Sequence, residues 1–313
     1  MSGGGLANLG STCAINSLIQ ILYRTPKINN IIMNSNTTEG TITYELKDLF
    51  NVLNQNQNIT PNRFIHNFYI IFKGIFNFGE QIDICELFLF LIEKIHNETS
   101  HNIENIDEYY KNISIFNKNK YSDIYKNLQG SYINTIECLG CGFCNKTYEP
   151  FIYIGLDICE NLSISELLNK KFIAEIRNAD EWKCEKCLNN CNYKKKLDIY
   201  KYPEILFISL NRFNEYNKKN NDSVNINPSL TFNPSLTFNP SLTFNPSLTF
   251  NPSLTFNLQA IGLHYGLIDG GHYNSICITN KEYVLYDDTS VCKLTDDIIP
   301  NILSKSSYIL CYN

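Results

Sequence analysis

Through the first hundred residues, apolar positions recur every three or four places. From Cys13 the run NSLIQILYR has helical period, and Pro26 closes it. ITYELKDLFNVL puts Ile42, Leu46, Leu49, Phe50 and Leu53 on one face. Thr60-Pro61 predicts a cap with proline at the first helical position, backed by a stripe of Phe64, Phe68 and Phe72. DICELFLFLIEKI places Ile84, Leu87, Phe88, Leu91, Ile92 and Ile95 at helical spacing, with Asp83 and Glu86 where a capping box would stand. From about Tyr132 the pattern turns to strands. TYEPFIYIGLDI, EILFISLNRF, LQAIGLHYG, GHYNSICIT, EYVLYDD and SYILCYN are short, rich in β-branched and aromatic residues, and bounded by turn residues.

Residues 227–256 are five tandem copies of NPSLTF. A proline in every copy blocks ladder bonding, and the array is too short for a solenoid. It reads as an expanded surface loop. The last copy runs straight into LQAIGLHYG, so one copy is expected to be native and four inserted.

Composition narrows the class. The chain has 313 residues, 43% of them hydrophobic and 18% charged, enough for a large core and too apolar for disorder. A net charge of −5 argues against nucleic acid as the main partner. There is no apolar run of membrane-spanning length, and no basic segment before an apolar one at the start. The expectation is a protein of a reducing compartment, cytoplasmic or nuclear, with no membrane partner. Its 12 cysteines then read as ligands, nucleophile or core residues rather than disulfides.

Cys13 follows Asn8-Leu9-Gly10-Ser11-Thr12 and opens the first helix. It reads either as a buried core cysteine or as a nucleophile whose thiol the helix N-terminus pulls toward thiolate. Gly10 permits close backbone approach, and Asn8 has an amide donor to offer an oxyanion. The second half of a reactive constellation lies in GGHYNSICITNKEYVLYDD. If Asn280-Lys281 is a two-residue hairpin loop, Thr279 faces Glu282 and Asn274 faces Asp287. His272, two residues along on the same face, is then a diagonal neighbour of Asp287. A base with an orienting carboxylate completes a Cys–His–Asp arrangement.

Cys138-Leu-Gly-Cys141 and Cys184-Glu-Lys-Cys187 form two CxxC knuckles, which together offer four thiolates to a tetrahedral zinc. Cys144 and Cys191 each extend a knuckle, and either is a substitute ligand on spacing alone.

These segments resemble the ubiquitin-specific proteases. GLANLGSTCAINSLIQILY is similar to that family's Cys box, GLxNLGxTCxxNSxxQ. GEQIDICELFLFLIEKI resembles QxDAxEFLxxLL, and LNRF resembles LKRF. LHYGLIDGGHYNSICI with EYVLYDDTSV resembles the His box, and SSYILCYN the terminal AYxLFY strand. The matches run in family order from Gly5 to Tyr312. Ser11, Ala14 and Ile15 depart from the usual Asn, aromatic and Met, and Ile84 and Leu87 from Ala and Phe.

The resemblance implies an α+β, papain-like cysteine protease fold in one domain spanning 1–313. Residues 1–130 would form a helical thumb, 131–212 fingers and first palm strands, 227–256 the repeat loop, and 257–313 the palm with the His box. Cys13 would be nucleophile, His272 base, Asp287 orienting carboxylate, Asn8 the oxyanion-hole residue and Asp288 a support of the same centre. Gln81, Asp83, Glu86, Gly270, Gly271 and Tyr273 would bind the ubiquitin tail. Cys138, Cys141, Cys184 and Cys187 would hold a structural zinc, with no catalytic cofactor. The implied reaction is hydrolysis after the C-terminal Gly of ubiquitin by a monomer whose partners are ubiquitin or ubiquitinated proteins. The rivals are a weakly active or inactive ubiquitin-binding scaffold of the same fold, a protease for another ubiquitin-like modifier, and a zinc-ribbon nucleic-acid binder disfavoured by charge.

Overall fold

Helices fill the N-terminal third, as the apolar period requires. The computed structural model describes residues 4–55, 57–102, 113–232, 253–267 and 270–313. Helix α1 (Cys13–Arg24) buries almost every side chain, because it runs between other helices and the strands that carry the His box. Pro26 does more than close it. It sits in the first turn of a second helix, α2 (Pro26–Asn34), where its missing N–H costs nothing. The stretch expected as the second helix is α3 (Ile42–Leu53), capped by Thr41. Helix α4 (Asn62–Ile71) starts one residue later than Thr60-Pro61 implied, with Pro61 itself in the cap position.

Helix α5 (Ile84–Thr99) is capped by Asp83, whose carboxylate accepts from Cys85 N and Glu86 N at 2.8 and 3.0 Å. Among the described residues Glu86 returns no bond, so the expected box is only half built. Beyond α6 (Asp123–Leu128), the reciprocal box stands instead at Ser163 and Glu166, opening α7 (Ile164–Lys171).

Among the described residues, strands β1 (His101–Asn102) and β2 (Lys120–Tyr121) pair only with each other. Next come β3 (Gly130–Cys138), β4 (Cys144–Phe151), β5 (Tyr153–Asp157), β6 (Glu175–Arg177), β7 (Tyr193–Lys201), β8 (Leu206–Asn211) and β9 (Ser229–Phe232). The last are β10 (Leu254–Tyr265), β11 (His272–Thr279), β12 (Glu282–Asp287), β13 (Ser290–Lys293) and, after α8 (Ile299–Ser306), β14 (Ser307–Tyr312). The large sheet runs β13-β12-β11-β10-β14-β8-β5, and the small one runs β4-β3-β7-β6. All of these pairs are antiparallel except β5 with β8.

TYEPFIYIGLDI is therefore not one strand. It divides at Ile152, giving an edge strand of the small sheet and an edge strand of the large one. Pro150 is tolerated because β4 pairs on one side only. Strands β3 and β7 were not anticipated as a pair. Their many half-exposed and charged positions hide the alternation of a thin sheet.

Alternation along the large sheet separates two cores. Ile309 and Cys311 of β14 face the helices with Leu18, Phe50 and Phe88, while Leu310 and Tyr312 face α7 and α8 with Leu167 and Leu303. The repeat supplies part of the second core. SLTF of the first copy is β9, and it pairs with the last copy at the start of β10, Leu230 opposite Phe256 and Phe232 opposite Leu254. Leu230 and Phe256 are buried, Ser165 N donates to Asn227 Oδ1 and Tyr312 Oη donates to Asn227 O. The loop reading is thus wrong for the first copy, while the last is part of a strand, as its run into LQAIGLHYG implied. Long β10 outruns its neighbours and takes a partner from the repeat, whose Leu and Phe alternate with polar residues. Residues 233–252 lie outside the described residues.

Candidate active site

The lead-in to α1 is wound around one amide. Asn8 Oδ1 accepts from Gly10 N (3.0 Å), Thr12 N (3.2 Å) and Thr12 Oγ1 (3.2 Å), and Thr12 Oγ1 accepts from Leu9 N. Gly10 and Ser11 take positive φ, +101° and +55°. Serine is an uncommon residue for this backbone, and its Oγ bond to Gly79 O helps to hold it. The turn delivers Cys13 as the first residue of the helix, with its side chain buried.

The opposite wall is the β11–β12 hairpin. Asn280 and Lys281 take φ of 52° and 67°, and Thr279 pairs with Glu282, the register read from the sequence. His272 Nε2 lies 2.5 Å from Asp287 Oδ1, with both side chains about two-fifths exposed at 41% and 40%. Nδ1 is left as the ring nitrogen free of Asp287. The Cys13 thiol sits against the backbone N–H of Tyr273, the residue after His272, so the two walls meet there.

The expected pull toward thiolate is not the net result. Burial pushes the Cys13 thiol up, Asp288 adds to that, and the amides of Tyr273, Ala14 and Cys13 oppose it without prevailing. Helix-end amides act in the predicted direction, but desolvation is the larger effect.

Asp288, at φ +49°, ties the walls together. Its Oδ2 accepts from Asn8 Nδ2 at 3.0 Å and its Oδ1 from Asn16 Nδ2 at 2.8 Å, while Leu6 N donates to its carbonyl. The backbone of Gly5 passes so close to Asp288 and Thr289 that a Cβ would collide with it. Asn8 therefore spends its amide donor on Asp288 in this structure. Asn16 was missed as a functional residue. The available signal was its place one helical turn after Cys13.

Of the six residues assigned to the tail, four come together. Gln81 Nε2 donates to Gly271 O at 2.8 Å, and Asp83 Oδ2 accepts from Tyr273 Oη at 3.4 Å. Tyr308 Oη reaches the same oxygen at 2.5 Å, a partner the sequence did not flag. Asp83 is thus already occupied, by a helix cap and two phenols. Glu86 and Gly270 are exposed, and Glu86 joins only through its backbone N–H, which donates to Asp83.

At the far end of the small sheet, the four expected thiols converge. Cys138 and Cys187 Sγ are 4.0 Å apart, Cys141 and Cys184 Sγ 3.7 Å, and all four sulfurs lie within 4.8 Å of one another. A tetrahedral zinc with Zn–S near 2.3 Å sets its sulfurs about 3.8 Å apart, so the donor set fits. Cys144 is excluded from the set, its thiol turned to Gly142 O.

The chain matches the family model described as ubiquitin carboxyl-terminal hydrolase over residues 4–312. Ubiquitin carboxyl-terminal hydrolase 25 of Arabidopsis thaliana is 29% identical over 224 residues, covering 67% of this chain and 33% of that protein. Probable ubiquitin carboxyl-terminal hydrolase 4 of Schizosaccharomyces pombe is 27% identical, covering 98% and 58%. The human ubiquitin carboxyl-terminal hydrolase 2 is 22% identical, covering 98% and 54%. This chain thus spans between a third and three-fifths of these relatives. Among solved structures, the SAGA DUB module of Ubp8, Sgf11, Sus1 and Sgf73 bound to monoubiquitin is similar, with a TM-score of 0.79 and 21% identity over 99% of this chain and 68% of that one. The same module bound to ubiquitin aldehyde gives 0.78 and 22%, over 99% and 69%. The chain shares its α+β fold with these structures.

Proposed function

The chain belongs to the ubiquitin carboxyl-terminal hydrolase family, and from that premise we propose that it is a cysteine-type deubiquitinase cutting after the C-terminal Gly of ubiquitin. The observation that supports this most is the His272–Asp287 pair at 2.5 Å beside a thiol at the start of a helix. Asp287 fixes the imidazole through Nε2, so Nδ1 is the atom that takes the Cys13 proton. Because burial disfavours the lone thiolate, proton transfer to His272 is what makes the sulfur nucleophilic. The sulfur adds to the carbonyl carbon, and the N–H of Cys13 meets the oxyanion, joined by Asn8 if it leaves Asp288. The imidazolium returns its proton to the departing lysine amine. Water, with His272 as base, then opens the thioester and frees the ubiquitin carboxylate.

In this reading Asp288 holds Asn8 and Asn16 in place, and Gln81, Asp83, Gly271 and Tyr273 shape the channel for the tail. Residues 1–130 act as a thumb, 131–212 as fingers and first palm strands, and 257–313 as palm. One structural zinc, held by Cys138, Cys141, Cys184 and Cys187, locks the β3–β4 turn to the loop before β7 and does no chemistry. The partner is ubiquitin or a ubiquitinated protein, met by a monomer. Among the described residues, no helix is long and apolar enough to cross a membrane. The free thiols suit a cytoplasmic or nuclear setting.

The test is a ubiquitin bearing a C-terminal electrophile. Covalent labelling is expected at Cys13. Cys13→Ala should bind ubiquitin yet turn over no substrate, and residual turnover within about tenfold of the parent would remove Cys13 as nucleophile. Running other ubiquitin-like modifiers beside ubiquitin fixes the modifier.

A further inference from the structure

A fifth thiol stands against the four. Cys191 packs beside Cys138 and Cys187 and is not among the sulfurs that lie mutually within 4.8 Å. It therefore covers one edge of the cluster, the Cys138–Cys187 edge, and not the Cys141–Cys184 edge. Its approach depends on a glycine. A Cβ on Gly140 would sit 2.7 Å from Cys191 Sγ, so any other residue there would force the sulfur back. Gly140 is the second spacer of the first knuckle, and Cys191 follows Cys187 by four residues, directly after the short loop that the Lys183–Asn190 bridge closes. Cys144, three residues after Cys141, extends the other knuckle and instead turns its thiol to Gly142 O.

The geometry points to Cys191 as a reserve zinc ligand, able to replace Cys187 and restore a four-thiolate site of Cys138, Cys141, Cys184 and Cys191. The inference rests on the zinc reading above. A thiol already at the edge needs only a short movement of its loop to enter a vacated vertex. A thiolate is a far better zinc ligand than the water that would otherwise fill it. The fingertip then survives the loss of Cys187, whether by substitution or by capture of that thiol by an electrophile. It does not survive the loss of Cys141, which lies on the edge that Cys191 does not cover.

Zinc content of the full chain, purified without chelator, tests this alongside the cobalt-substituted spectrum, in which thiolate-to-cobalt charge transfer reports the number of sulfur ligands. Wild type and Cys191→Ser should each hold zinc. Cys187→Ser should also hold zinc and keep a four-thiolate cobalt spectrum. Cys187→Ser/Cys191→Ser and Gly140→Ala/Cys187→Ser should lose it, and so should Cys141→Ser. Far-UV circular dichroism and a cooperative melt report in each variant that the rest of the chain is folded. If Cys187→Ser is as zinc-free as the double variant, or if both keep zinc, the reserve role is overturned while the four-thiol site stands. Wild type without zinc overturns both.

Discussion

His272 and Asp287 were legible because a hairpin converts sequence distance into register: once Asn280-Lys281 is the turn, every facing pair follows. Asn16 and Tyr308 were not legible, since an asparagine on a buried helix and a tyrosine in a strand are ordinary core polar residues until a partner from far along the chain is seen. Asp287→Asn should leave ubiquitin binding in place and lower kcat by on the order of 10²–10⁴, because the imidazole loses its orienting charge and tautomer. Steady-state kinetics with a fluorogenic ubiquitin substrate measure it. Two other histidines, His96 and His264, are buried, and burial holds each down to about 4, with Lys120 adding to it at His96 and Lys219 and Arg212 at His264. Both are neutral in the fold, whereas the unfolded chain takes up these protons near 6.5. The unfolded state therefore binds more protons between about pH 6.5 and 4, so stability is full above that window and falls as pH drops through it. Urea midpoints measured across the window should show the decline, and a flat profile would mean that these rings are solvated.

Helices α1, α3 and α5 were written in their apolar period. Helix α2 was hidden by Pro26, which reads as a stop when taken alone and as a start when another turn follows. The small sheet was hidden by its own thinness, since few of its positions are fully buried. The repeat misled in a different way: proline in every copy argues against a strand, yet each copy has room for a four-residue strand after its proline. Removing residues 233–250 would leave two copies and a three-residue link, Asn251-Pro252-Ser253, between the paired Phe232 and Leu254. Melting temperature and turnover of that protein are expected to match the parent. Removing residues 227–250 leaves one copy, which cannot be both β9 and the start of β10. It strips the partners of Ser165 and Tyr312 and a buried leucine, so a loss of roughly 2–4 kcal/mol is expected by chemical denaturation.

At the scale of the molecule, motif order was enough to anticipate the fold, while strand order was not. Strand β14, the last element, lies between β10 and β8, and that placement is fixed by long-range pairing, which leaves no local mark. The four cysteines of the proposed zinc stand around the β3–β4 turn and the loop before β7, and Cys13 at the start of α1, so chelation should loosen the small sheet and weaken ubiquitin binding while Cys13 stays reactive to a small thiol reagent. Simultaneous loss of both would show the two sites to be coupled. The pairing of one NPSLTF copy with another has a consequence for how the gene can change. The unit is six residues, an even number, so gaining or losing whole units preserves the reading frame, the inward face of each strand and the register of the pair. Each doubling of the intervening length adds only about 0.6 kcal/mol of closure entropy. Replication slippage is therefore nearly silent here above a floor of two units, and length variation in descendants of this gene should come in steps of six residues.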